Sequence, residues 1–141
     1  MLRLSNLIRN LPGKESGIQH FWIDTICCPP DDAGQNEAQE LAIGKMSETY
    51  ENARAVLVID SWLQTHNIVN PVDTNTEILM RIVCSNWNSR LWTPQEGALA
   101  KMLFFQFANK SYNVDVGLQT QQNRSTMFKI FIKIPHQPEG A

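Results

Sequence analysis

Two stretches of this chain are apolar at nearly every position: Ala55-Val-Leu-Val-Ile59 and Leu103-Phe-Phe-Gln-Phe107. A strand with one wet face alternates apolar and polar residues. A run that does not alternate is covered on both faces, as in parallel sheets held between helices. His20-Phe-Trp-Ile-Asp-Thr-Ile26 reads as an earlier strand of the same kind. Leu4, Leu7, Ile8 and Leu11 form one helical face, stopped by Pro12-Gly13. Glu37 to Ala53 reads as one long helix with Ala38, Leu41, Ala42, Met46, Thr49, Tyr50 and Ala53 as its apolar stripe, and Asn36 with Gln39 as its capping pattern. After a looser stretch, Ser61 to Asp73, Thr74-x-x-Glu77 caps a helix that buries Ile78, Leu79, Ile82, Val83 and Trp87. Thr93-Pro-Gln-Glu96 opens another helix, with Thr93 as its cap and proline at the first helical position. Strands alternating with helices predict an α/β fold: a mostly parallel sheet flanked by helices, with right-handed crossovers.

Composition narrows the function classes. The chain has 141 residues, enough for one domain and a true core. It carries 12 Lys+Arg against 14 Asp+Glu, a formal charge of −2, which argues against a broad electrostatic grip on nucleic acid or anionic membrane. No apolar run approaches the roughly 18 residues of a membrane span. The three cysteines, Cys27, Cys28 and Cys84, are odd in number and two are adjacent, unlike a secreted disulfide framework. The first ten residues space their apolar positions rather than run them together, so they do not read as a signal peptide. The expectation is a cytoplasmic protein with reduced thiols.

The last part, Ala108 to Ala141, changes character. It is polar and Gln-rich, then strand-like in Phe128-Lys-Ile-Phe-Ile-Lys-Ile134. Residues 108–141 therefore read as a divergent tail, either an added edge strand guarded by lysines or a disordered segment.

Four blocks together resemble the fungal heterokaryon-incompatibility (HET) domain. They are Phe21-Trp-Ile-Asp-Thr-Ile-Cys-Cys-Pro-Pro-Asp-Asp32, Lys45-Met-Ser-Glu-Thr-Tyr-Glu-Asn-Ala53, Ala55-Val-Leu-Val-Ile-Asp60 and Arg90-Leu-Trp-Thr-Pro-Gln-Glu96. Their order and spacing carry the resemblance, which covers residues 1–107. Members of that family usually begin with a further strand before the first helix. The resemblance thus implies a partial HET domain, truncated at that strand, with an incomplete TIR-like or flavodoxin-like sheet. It also implies a role as effector or signalling module in fungal programmed cell death, acting by cleavage of NAD or a related nucleotide. The alternatives are a non-enzymatic module that self-associates or binds another signalling domain, and an inactive fragment.

Candidate site residues follow from the fold. In an open parallel sheet, ligands bind beyond the carboxyl ends of the strands. Asp24 and Asp60 end two strands, and Glu96 follows the tight Arg90-Leu-Trp92 turn. Cleaving an N-glycosidic bond builds positive charge on the sugar, so a fixed carboxylate is required; Glu96 is the first candidate and Asp24 the second. Arg90 is suited to hold a phosphate through paired hydrogen bonds. Thr93 opens a helix whose positive end favours an anion. Trp22 or Trp92 can stack on a base or nicotinamide, and Asp60 completes the cofactor-side set. Each has a scaffold alternative: Glu96 as the capping-box acid of its own helix, Arg90 as a structural partner of such an acid, and Trp22 and Trp92 as core. Cys27 as nucleophile lacks an evident base. The three cysteines fit no zinc spacing, so no metal is expected. Asp31-Asp32 read as turn residues, and there is no Gly-rich phosphate loop.

Overall fold

The computed structural model describes residues 20–23, 27–28, 36–69, 74–90 and 93–118. The chain divides into two compact units, Met1–Thr49 and Tyr50–Ala141. The expected helix over Leu4 to Leu11 and the expected edge strand over Phe128 to Ile134 lie outside the described residues.

In the first unit the long helix read from the sequence is two. Helix α1 spans Asn36–Gly44 and α2 spans Met46–Asn52, the latter running on into the second unit. The break falls at Gly44-Lys45. Glycine is about 1 kcal/mol less favourable than alanine in a helix, and the Lys45 N–H is shared between the carbonyls of Leu41 at 3.1 Å and Ala42 at 3.2 Å. Such bifurcation marks helix ends. Of the expected apolar stripe, Met46 and Tyr50 are buried, whereas Ala38 and Leu41 are exposed, Leu41 by 67%. The expected first strand is also corrected: residues 20–23 have no strand pairing and Phe21 is 59% exposed. The Cys27 N–H bonds the Ile23 carbonyl at 2.8 Å. Residues 24–26 lie outside the described ones.

Among the described residues, the second unit is mixed α/β around a small sheet of three strands, β1 (Val56–Val58), β2 (Leu103–Gln106) and β3 (Ser111–Asn113), in that order. Strands β1 and β2 are parallel, with Val58 opposite Phe105. Strands β2 and β3 are antiparallel, with Phe105 opposite Tyr112. The sheet is thus evenly mixed where a mostly parallel one was expected. The reason is the connection. Only residues 107–110 separate β2 from β3, and the Phe107 N–H closes on the Lys110 carbonyl at 2.9 Å. So short a link permits only a hairpin, because a parallel neighbour needs a crossover of a dozen or more residues. Every residue of the central strand β2 is buried, as its apolar run predicted. Gln106, its one polar residue, donates its amide to the Phe107 carbonyl at 2.6 Å.

Helix α3 (Asn75–Val83) begins as its sequence demands. Thr74 Oγ1 accepts from the Glu77 N–H, and the Glu77 carboxylate accepts from the Thr74 N–H at 2.8 Å, so the capping box is complete. Ile78 and Ile82 are buried in the core with Leu63, Leu103, Phe105 and Phe107. Thr74→Ala should cost about 1 kcal/mol and lower the melting temperature by a few degrees in calorimetry. Two 3-10 turns, Leu63–Thr65 and Asn86–Ser89, precede α3 and follow it. Helix α4 (Thr93–Leu99) leads into β2, and α5 (Val114–Leu118) follows β3 directly. Strand β3, α5 and the fully buried Val114 lie beyond Phe107, within the segment read from the sequence as a tail.

Side chains fasten the loops around the sheet. Asn109 Oδ1 accepts the Ile68 N–H and its Nδ2 donates to the Ile68 carbonyl, both at 2.9 Å. Tyr112 Oη donates to Asn75 Oδ1 at 3.1 Å, and any Cβ at Gly117 would fall on that hydroxyl. A larger residue at 117 would therefore have to displace the Tyr112 hydroxyl. Burial pushes the Tyr112 phenol above its ordinary value, about 10 for tyrosine. The folded state holds this proton more tightly than the unfolded chain. Its stabilisation is thus full below pH about 10 and is lost as pH rises through the folded value. Urea melts from pH 9 to 11 should show this decline, and Tyr112→Phe should remove that part of it.

Candidate functional site

The site is built around Trp87, which the sequence placed in a core stripe. Trp87 sits on the second 3-10 turn and is 3% exposed. Its ring meets Phe105 of β2 edge-on, with centroids 4.9 Å apart and planes at 89°. A buried indole is apolar except for one N–H, which needs an acceptor. Trp87 Nε1 donates to Glu96 Oε2 at 2.7 Å. The other carboxylate oxygen, Oε1, accepts from the Tyr50 hydroxyl at 3.3 Å. Glu96 lies in the first turn of α4 and is half-buried, so its carboxylate is gripped by side chains of two other elements.

Asp60, read from the sequence as part of the cofactor-side set, bonds to the backbone of Trp87. Asp60 follows β1 and is 6% exposed. Its Oδ1 accepts the backbone N–H groups of Trp62 at 2.9 Å and Leu63 at 3.1 Å, donors left unpaired by the start of the first 3-10 turn. Its Oδ2 accepts the backbone N–H of Trp87 at 2.8 Å. Three charge-assisted bonds to backbone compensate the burial of this anion. Trp87 therefore joins the two carboxylates, its backbone bonded to Asp60 and its ring to Glu96.

The remaining sequence candidates are placed as follows. Asp24 and Trp92 lie outside the described residues. Arg90 is exposed at the end of the second 3-10 turn, with its backbone N–H on the Trp87 carbonyl at 3.1 Å. Thr93 is the first residue of the seven-residue α4. Trp22 is half-buried. Cys27, Cys28 and Cys84 are free thiols, with Cys27 and Cys84 exposed. Among the described residues, no group of three or more His, Cys, Asp or Glu is placed to hold a metal ion. Among them, too, no helix is long and apolar enough to cross a membrane.

The sequence marks Glu96 and Asp60 as candidates but does not name Tyr50 or Trp87 as their partners. Tyr50 and Trp87 were assigned to apolar stripes, where they do lie, but their polar hydrogens were left without acceptors. That omission was the available signal, because a buried tyrosine or tryptophan needs an oxygen within reach. No protein-family model, no curated protein and no solved structure matches this chain.

Proposed function

We propose that this chain is a HET-type effector module of fungal programmed cell death that cleaves NAD or a related nucleotide with Glu96 as its working carboxylate. The observation that supports this most is convergence. Tyr50, Asp60 and Glu96 come from three separate sequence blocks that resemble the HET domain, and they meet around Trp87 in one hydrogen-bonded unit. In hydrolysis the bond between ribose and nicotinamide breaks, its electron pair leaves with the nicotinamide, and water adds to the ribose carbon. Positive charge grows on the ribose as the bond stretches. A carboxylate already held in place stabilises that charge without reorganising. Each carboxylate oxygen accepts more than one hydrogen bond, so the grip of Tyr50 and Trp87 leaves Glu96 able to face a substrate. Arg90, exposed beside this unit in sequence, is the proposed phosphate contact, with Trp92 and Thr93 as further ligand contacts and Asp24 as a second acid. The reading carries with it a TIR-like or flavodoxin-like sheet flanked by helices, to which the parallel β1–β2 pair is suited, and a cytoplasmic setting.

The test is direct. Purified protein should consume NAD and release nicotinamide, measured by chromatography. Glu96→Gln keeps an oxygen for the Trp87 indole but removes the charge. It should abolish turnover while shifting the melting temperature by no more than a few degrees. Persistence of NAD at high protein concentration removes the enzymatic reading.

A second reading rests on a specific observation: both oxygens of Asp60 and both of Glu96 are already engaged within the fold. On that reading the carboxylates are scaffold and the module signals by self-association. Light scattering should then show mass rising with concentration; a strict monomer throughout eliminates it.

A further inference from the structure

We propose that Trp87 is a positioning residue for Glu96 and that Asp60 sets the position of Trp87; this rests on the reading of Glu96 as the working carboxylate. A glutamate side chain turns about three bonds and orients its oxygens only where donors fix them. The shorter of the two donors on Glu96 is the Trp87 indole at 2.7 Å, against 3.3 Å for the Tyr50 hydroxyl. An indole is rigid, so its N–H is aimed once its backbone and ring plane are set. The plane is set by the edge contact with Phe105. The backbone is set by Asp60 Oδ2, bonded to the Trp87 N–H at 2.8 Å. Asp60 cannot turn away, because its other oxygen holds the Trp62 and Leu63 N–H groups. The end of β1 is thereby connected to the orientation of a carboxylate on α4. Asp60, placed by sequence among ligand-contacting residues, acts here through Trp87 instead.

The test uses the full chain and reads the Trp87 indole ¹H–¹⁵N resonance, assigned through bonds. In the wild type it should lie downfield and exchange slowly with solvent. Glu96→Gln should move it upfield, because a neutral acceptor replaces a charged one. Asp60→Asn should move it too, although Asp60 bonds to the backbone of Trp87. In turnover assays Trp87→Phe, which keeps a ring but loses the N–H, should lower kcat by about tenfold or more and leave KM within about twofold. A resonance that exchanges freely, or that stays fixed in Glu96→Gln, overturns the positioning role. If the wild type consumes no NAD, the nucleotide reading fails by itself, and the resonance still decides whether Trp87 orients Glu96.

Discussion

Asp60→Ala should destabilise the fold by about 3–5 kcal/mol, a value in the range for breaking a buried charge interaction. The alanine methyl removes a carboxylate that receives three backbone N–H groups, from Trp62, Leu63 and Trp87. A buried donor left unpaired costs about 1–3 kcal/mol, and water admitted to the gap restores part of that. Both 3-10 turns lose their shared anchor, so the damage is not confined to one loop. Asp60→Asn keeps an oxygen for the first turn and should cost distinctly less. Urea denaturation followed by circular dichroism measures the order. Equal midpoints for wild type and Asp60→Ala would show that the three bonds contribute nothing net.

Phe105→Ala should cost a similar amount, about 3–5 kcal/mol, the usual range for a fully buried phenylalanine. Phe105 is completely buried on the central strand, opposite Val58 of β1 and Tyr112 of β3. Truncation leaves a cavity in a densely packed interior and also removes the edge contact with Trp87. The site should therefore loosen along with the core. The midpoint of denaturation falls while its slope is kept, and the intrinsic fluorescence of the folded protein changes because one face of Trp87 is no longer covered. Loss of less than about 1 kcal/mol would mean that the core closes around the gap far better than is usual.

What the sequence made legible was mainly local. The Thr74–Glu77 capping box forms as read, because its two residues specify each other across three positions. Strands β1 and β2 fall within the two runs that do not alternate; β2 is buried throughout as such a run predicts, whereas β1 is half-buried at Val56 and Leu57 and Ile59 after it is 48% exposed. The hairpin after β2 is hardly visible in the sequence. Its turn signal is weak, resting on Asn109, and much of its hold comes from the bonds of Asn109 to Ile68, a residue 41 positions away. The break at Gly44-Lys45 leaves little trace in the sequence because the apolar stripe runs on through it. Local spacing alone presents Glu96 as the acid of its own helix cap. Its partners Tyr50 and Trp87 lie 46 and 9 positions away. The fold alone determines that meeting; the sequence shows only that a buried indole and a buried phenol each need an acceptor.

Those long-range partners make the claim of a single unit measurable. A double-mutant cycle of Trp87→Phe and Glu96→Ala, read by urea denaturation, tests the bond at its centre. We predict a coupling of about 1–3 kcal/mol, as expected for a hydrogen bond to a charged group. Costs that add within about 0.5 kcal/mol would contradict it, because Trp87 and Glu96 would then be neighbours that do not hold one another.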